Sequence, residues 1–160
     1  MFTDAQFTAL AKKYIDTVFR VALNYLKSGA DADDVTQNVF LKLWKETKPF
    51  ESEAHIRYWL IRVTINECKN LLRAPWRNAE AFEDYAGKLS FPSPEYSELF
   101  YAVMALPKKY RVPIYLYYYE GYSTEEIAGI LKLPRSTVST HLHRGREALR
   151  DELQEAEDHV

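Results

Sequence analysis

A chain of 160 residues is long enough for one ordinary domain or two small ones, and its 47% hydrophobic and 28% charged residues exclude a disordered tail or a membrane-embedded protein. No apolar run approaches the roughly 20 residues that cross a bilayer, and the first residues carry no secretion signal, so we expect a cytoplasmic protein without membrane insertion. A net charge of −2 argues against a protein that coats nucleic acid indiscriminately.

The first predicted element is an amphipathic helix, because apolar residues recur every three or four positions from Phe7 to Tyr25. Thr3 and Gln6 have the spacing of a capping box at its start. Gly29 is expected to end the helix, since glycine readily adopts the left-handed conformation that terminates helices.

Two further helices are predicted in this part of the chain. Asp31 is expected to cap the second helix and Pro49 to close it. The inward face of the second helix is predicted to contain Val35, Val39, Phe40, Leu43 and Trp44. A loop over residues 50–54 precedes the third helix, and the single cysteine, Cys68, is expected to be a buried apolar residue of that helix. The apolar positions predicted for the third helix are Ile56, Trp59, Leu60, Val63 and Leu71.

The periodicity fails between residues 74 and 94, where prolines and a glycine interrupt it, and this stretch is predicted to be a linker. It would separate a domain over residues 1–73 from one over residues 95–160. The tyrosine-rich run at 115–119 has the propensity of a strand, but its helical neighbours favour a helix. The predicted fold class is therefore all-α, with two small helical domains joined by a linker.

The C-terminal domain carries the pattern of a helix-turn-helix. Ser123 and Glu126 form a capping box at the first helix, and residues 132–134 form the turn, with Leu133 expected to point inward. The second helix has apolar residues on one side, while polar residues lie on or near the other. These polar residues are Arg135, Ser136, Ser139, Thr140, His143 and Arg144.

Positive charge is concentrated in the same segment, since residues 132–150 contain five basic residues and one acid, an excess of 5 − 1 = +4. A helix of this kind can enter the major groove of DNA. Arg135 can pair with guanine or hold a phosphate, whereas Arg144 and Arg146 are better placed for phosphates. His141 and His143 lack a third ligand nearby in sequence, so no metal site is expected. Similar helix pairs also occur in proteins that never bind DNA, but the combination of signals favours DNA binding.

Residues 106–151 resemble the promoter-recognition domain of bacterial sigma factors of the extracytoplasmic-function group. The resemblance is carried by GYS at 121–123, EIA at 126–128, STV at 136–138 and LHRGREAL at 142–149. In the first domain, DADDVTQNVF at 31–40 is similar to that family's polymerase-docking helix. WLIRV at 59–63, with Asn66 and Arg73, is similar to its segment for the melted part of the promoter. Two positions depart from the family pattern, because Ile65 and His141 stand where relatives often carry a basic residue.

The resemblance implies a sigma factor that binds core RNA polymerase and promoter DNA and directs transcription initiation. The 135–146 helix would read the −35 element. Its contact residues would be Arg135, Ser136, Ser139, Thr140, His143, Arg144 and Arg146. The opened −10 strand would be held by Phe50, His55, Arg62 and Asn66. The residues facing the polymerase would be Asp33, Asp34, Gln37 and Asn38.

Two other functions are weighed against this one. A regulator that binds DNA but never joins the polymerase would not need the motif at 31–40. An enzyme is disfavoured because the sequence contains no phosphate loop, nucleophile elbow or metal-ligand spacing. No catalytic residue, cofactor or small-molecule substrate is therefore expected. An anti-sigma factor is a further partner suggested by the resemblance, although nothing in the sequence identifies one.

Overall fold

The computed structural model describes residues 2–73 and 94–158, and every regular element in these residues is a helix. They fall into two compact units. The first unit contains α1 (Asp4–Leu26), α2 (Gly29–Lys45) and α3 (Glu53–Leu72). The second contains α4 (Pro94–Met104), α5 (Lys108–Tyr118), α6 (Thr124–Leu131) and α7 (Arg135–Asp158). The predicted all-α class is confirmed, whereas the predicted linker at 74–94 lies outside the described residues except for Pro94.

The start of α1 follows the sequence prediction and its end does not. The Thr3 amide donates to Gln6 Oε1 at 2.9 Å, and the Gln6 amide donates to Thr3 Oγ1 at 3.1 Å, which forms the capping box. The expectation that Gly29 ends the helix is wrong. Lys27 ends it in the left-handed conformation, with φ of 54° and its amide bound to the Leu23 carbonyl oxygen at 2.8 Å. Gly29 is instead the first residue of α2.

The cap of α2 is Ser28 and not Asp31, because the Ser28 hydroxyl oxygen accepts the Asp31 amide at 3.3 Å. Asp31 occupies the first turn, where a carboxylate interacts favourably with the helix dipole. Four of the five residues predicted to face inward are buried, but Trp44 is 46% exposed. Its ring packs edge-on against Phe7, with the ring centroids 5.0 Å apart, at the margin of the unit.

Helix α3 begins earlier than predicted, because Ser52 caps it through the His55 amide and Ala54 already belongs to the helix. Ile56 and Leu60 are buried as expected, and Cys68 is fully buried. Trp59, Val63 and Leu71 are only half-buried. The rest of the buried face is formed by Ile61, Thr64 and Ile65. Surface ion pairs join α3 to its neighbours, from Lys13 to Glu53 and from Lys42 to Glu67.

The second unit has a core built from all four of its helices, and the tyrosine-rich run is helical, as predicted. Its largest fully buried side chains are Phe100, Ile114, Tyr115, Leu116, Ile127, Ile130 and Leu142. The prediction that Leu133 points inward is wrong, since the side chain is 36% exposed. Lys132 ends α6 in the left-handed conformation, with φ of 57° and its amide bound to the Ala128 carbonyl oxygen. This turn leaves Leu133 at the surface between the two helices.

A close approach of α5 and α7 depends on Gly145, which is buried. A Cβ atom at this position would lie 2.8 Å from Cγ1 of Ile114 and 3.3 Å from Cβ of Tyr110. The first contact is much closer than van der Waals separation and the second is slightly closer, so a side chain at residue 145 would force Ile114 to shift. Among the described helices, none is both long enough and apolar enough to cross a bilayer.

Candidate DNA and polymerase interfaces

The helix-turn-helix of α6 and α7 is held by local interactions at its start and by packing along its length. The Ser123 amide donates to Glu126 Oε1 at 3.0 Å, and the Glu126 amide donates to Ser123 Oγ at 3.1 Å, so the predicted capping box is present. Ile127 and Ile130 of α6 and Val138 and Leu142 of α7 are buried. These four side chains fix the side of α7 that faces the core and therefore the side that faces solvent.

The solvent-facing side of α7 contains all seven residues predicted to read the −35 element, and each of them is exposed. Successive residues of a helix are rotated by about 100°, so Ser136, Thr140 and His143 share the middle of this face. Arg144 and Arg146 leave the helix in directions about 160° apart and lie on opposite flanks. The middle of the face is therefore polar, and one arginine lies on each side of it.

Arg146 is positioned by two tyrosines of α5. Its Nε donates to the hydroxyl oxygen of Tyr118 at 2.7 Å, and its guanidinium carbon lies 5.8 Å from the ring centroid of Tyr117 and 6.0 Å from that of Tyr118. Both tyrosines are exposed. The sequence analysis assigned the tyrosine run to a helix and gave it no role at the DNA-binding face. The alternation of buried Tyr115 and Leu116 with exposed Tyr117 and Tyr118 becomes visible only once α5 is packed.

The opposite flank contains a neutral histidine between cations. His141 is half-buried, and its ring meets that of Tyr110 edge-on with the centroids 5.8 Å apart. Burial, reinforced by the charges of Lys109 and Arg144, lowers the pKa of His141 below its ordinary value of 6.5. His141 therefore adds no positive charge at neutral pH. The Lys109 ammonium lies 5.0 Å from the Tyr110 ring centroid and is a cation of this flank that the sequence analysis did not single out.

Two polar groups in the centre of the face already have partners within α7. The Thr140 hydroxyl donates to the Ser136 carbonyl oxygen at 3.0 Å, so its oxygen remains available only as an acceptor. His143 Nε2 lies 3.2 Å from Glu147 Oε1. A contact that Nε2 of His143 makes with DNA must therefore replace its contact with Glu147.

The four residues predicted to face the polymerase lie together on the exposed side of α2. Asp33, Asp34, Gln37 and Asn38 are exposed, whereas the residues between them and on either side of them are buried. Pairs of exposed residues alternate with pairs of buried residues along the helix. Because a helix turns once every 3.6 residues, the exposed pairs form one continuous polar surface. Leu41, one turn further along, is 54% exposed and extends the same side of α2 with an apolar group.

The residues predicted to hold the −10 strand form a stripe along α3. His55, Arg62 and Asn66 lie at intervals of seven and four residues, so they share one side of the helix with Trp59. Phe50, from the preceding loop, meets the rings of His55 and Trp59 edge-on, with centroid distances of 5.2 Å and 5.7 Å. The structure therefore brings all four predicted residues onto one surface. It adds Trp59, which the sequence analysis treated as a core residue.

These features define a two-unit helical protein with a DNA-binding helix-turn-helix in its second unit. Residues 10–78 match the family of sigma-70 region 2, and residues 96–149 match that of sigma-70 region 4. The chain is 31% identical to the ECF RNA polymerase sigma-E factor of Escherichia coli strain K12 in an alignment 166 positions long, gaps included, that covers 92% of this chain and 86% of that protein. It is 29% identical to the RNA polymerase sigma-H factor of Pseudomonas aeruginosa, with the same coverage.

The fold agrees with solved structures of sigma factors. The sigma factor RpoE of Bartonella quintana, in complex with the anti-sigma factor NepR, superimposes with a TM-score of 0.69 at 18% identity, covering 92% of this chain and 96% of that one. CnrH, in complex with the cytosolic domain of CnrY, superimposes with a TM-score of 0.63 at 24% identity and covers 95% and 90% of the two chains. The chain belongs to the extracytoplasmic-function group of RNA polymerase sigma factors. Its function is to direct promoter-specific transcription initiation.

Proposed function

We propose that this sigma factor reads the −35 element through residues 135–146 of α7, holds the opened −10 strand with α3 and the loop before it, and docks on core RNA polymerase through α2. The observation that carries the proposal is the exposed face of α7, which combines Ser136, Thr140 and His143 at its centre with arginines on both flanks. We further propose that the chain catalyses no reaction itself and acts in the cytoplasm, because its relatives are RNA polymerase sigma factors.

The shape of the α7 face suits the major groove. Ser136 and Ser139 are short, so they allow the helix backbone to approach base edges closely. Arg135, in the first turn, reaches into the groove and is assigned to a guanine or to a phosphate beside it. Arg144 and Arg146, on opposite flanks, are assigned to phosphates of the two DNA strands, because contacts to phosphates fix the register of a recognition helix.

The stripe on α3 is suited to an unpaired strand. Phe50, which packs against His55, presents a ring on which an unstacked base can stack, and base–aromatic stacking contributes about 1 to 3 kcal/mol per base. Arg62, which is exposed, supplies a positive charge for the backbone of the strand. Asn66 has the donor and acceptor needed for a base edge. No metal or cofactor is required, since binding energy and captured bases drive strand opening.

The surface of α2 is assigned to the polymerase because its polar groups have no role in the core of the unit. Asp34, Gln37 and Asn38 follow the same side of the helix, and Leu41 adds apolar area at the end of this row. Protein interfaces combine apolar area with polar groups at their rim, and this surface offers both. The motif lies within residues 10–78, which match the family of sigma-70 region 2, and this supports the assignment.

We also propose an anti-sigma factor as a regulatory partner. The Bartonella quintana relative of the same fold was solved in complex with the anti-sigma factor NepR.

In the proposed function, residues 1–73 and 95–160 are the two binding domains, and residues 74–94 link them. A linker allows each domain to meet its own target on the same promoter complex.

A pull-down with core polymerase tests the assignment of α2. The double variant Asp34→Ala with Gln37→Ala is expected to lose most of its polymerase binding, while its helical circular dichroism stays unchanged because both residues are exposed. Asp16→Ala, which removes an exposed carboxylate from α1, is the matched control and should bind normally. Normal recovery of polymerase by the double variant would refute the assignment.

A second measurement tests the assignment of α7. Arg135→Ala is expected to weaken recognition of the preferred −35 sequence by about 1 to 3 kcal/mol, relative to a mismatched sequence, if its guanidinium pairs with a base. Equal weakening on all sequences would instead show that Arg135 holds a phosphate. If Arg135→Ala binds both sequences as the wild type does, Arg135 has no part in DNA binding.

A further inference from the structure

The loop between α2 and α3 is held at both ends by side chains. At its start, Glu46 Oε1 accepts the amides of Thr47 and Lys48 at 3.1 Å and 3.0 Å. At its end, the Glu51 amide donates to Nδ1 of His55 at 3.1 Å. Backbone amides that would otherwise bind only water are therefore fixed by groups of the protein. Side chains at positions 46 and 55 therefore hold the two ends of this loop.

His55 has two attachments to the same turn of chain. Its own amide donates to Ser52 Oγ at 3.1 Å, while its ring nitrogen accepts the Glu51 amide. A hydrogen bond accepted by Nδ1 requires that this nitrogen carry no proton. The side chain of His55 thereby fixes the residue that immediately follows Phe50.

The ring of Phe50 lies among three other rings. It meets His55 and Trp59 edge-on and stacks on Phe2, whose centroid is 6.1 Å away at an interplanar angle of 20°. Phe50 is only half-buried by these contacts, so part of its ring remains open to solvent. An open aromatic ring at the end of the α3 stripe has the geometry of a stacking platform.

We propose that His55 is a positioning residue, whose Nδ1 holds the Glu51 amide and thereby fixes Phe50 for contact with the opened −10 strand. The inference rests on the proposed function of the α3 stripe and deepens it. It separates the role of His55 from those of Phe50, Arg62 and Asn66, which face the DNA directly. The competing role is a direct contact, in which the ring of His55 itself stacks on a base.

Two substitutions separate these roles because each keeps a different part of the side chain. In His55→Asn, Oδ1 is bonded to Cγ as Nδ1 is in histidine, so the acceptor is kept while the ring and Nε2 are lost. In His55→Phe, the ring is kept and the acceptor is lost. Positioning predicts that the asparagine variant works and the phenylalanine variant fails. Direct stacking predicts the opposite order.

Amide exchange measured by NMR on the full-length protein tests the hydrogen bond without DNA. The Glu51 amide is expected to exchange at a similar rate in the wild type and in His55→Asn. In His55→Phe it should exchange about fivefold faster, because one ordinary hydrogen bond is lost. The amides of Ile61 and Ile65, which are fully buried, should be unchanged in both variants. Equal exchange of the Glu51 amide in all three proteins would overturn the inference.

Strand opening by the holoenzyme tests the functional half of the inference. A fluorescent base analogue in the −10 element reports opening, and His55→Phe is expected to form about fivefold less open complex than the wild type or His55→Asn. Loss in the asparagine variant, or full activity in both variants, would overturn the positioning role. If the wild-type holoenzyme opened no promoter, the proposed function would fail, and the Glu51 amide would still report on His55.

Discussion

Arg146 offers the most quantitative test of the DNA-binding face. Its guanidinium is held by the Tyr118 hydroxyl through Nε, which leaves the two terminal nitrogens available for a phosphate. Each phosphate neutralised on duplex DNA changes the slope of log K against log salt by about 0.9. Between about 50 and 200 mM salt, one contact therefore weakens binding by about 3.5-fold. Arg146→Ala should accordingly lose about 3.5-fold more affinity at the lower salt concentration than at the higher one.

The assay is the fluorescence anisotropy of a labelled promoter fragment titrated with holoenzyme at both salt concentrations. Arg146→Lys is the matched control, because it keeps the charge and should keep most of the salt dependence. Tyr118→Phe keeps the ring and removes only the acceptor, so a smaller loss in the same direction is expected. Equal losses of affinity at the two salt concentrations would refute the phosphate contact. Unchanged binding would show that Arg146 serves only to join α7 to α5.

Three further predictions concern stability and packing within each unit. Ser123→Ala should lower the free energy of unfolding of the second unit by about 1 kcal/mol, measured by urea denaturation, because the Glu126 amide loses its cap; an unchanged midpoint would contradict this. Gly145→Ala should destabilise the wild type, since overpacking of about 1 to 3 kcal/mol opposes a gain in helix propensity of about 1 kcal/mol. In a protein that already carries Ile114→Ala, Gly145→Ala should instead raise the free energy of unfolding. If Gly145→Ala destabilises both proteins, contact with Ile114 is not the cause of the destabilisation. Cys68 should react with a thiol reagent only after unfolding, and fast native labelling would show that α3 opens.

Much of the fold follows from sequence because helices leave strong local signals. The capping boxes at Thr3 and Ser123 and the alternation of buried and exposed residues in α2 were predictable from spacing alone. Helix ends were less predictable. Gly29 was expected to end α1, but Lys27 adopts the left-handed conformation there, and Lys132 adopts it at the end of α6. Backbone hydrogen bonds of the surrounding turns stabilise both residues.

Site residues that lie on one face of a single helix could be predicted from the sequence. Contacts between residues of different elements could not. The exposed polar side of α7 follows from its own periodicity, and the residues chosen on it are exposed in the structure. The contact of Tyr118 with Arg146 spans 28 residues, and that of Phe50 with Trp59 joins a loop to a helix. Such contacts depend on how elements pack, which periodicity does not specify.

Run-off transcription with purified core polymerase tests the central claim most directly. When this chain is added to core polymerase and a library of promoter fragments, we expect transcripts from a subset that shares a −35 and a −10 sequence. Substitution of either element should remove the product. Transcription that is absent, or that is equal with and without this chain, would contradict the claim that its two helical units together direct the polymerase to promoters.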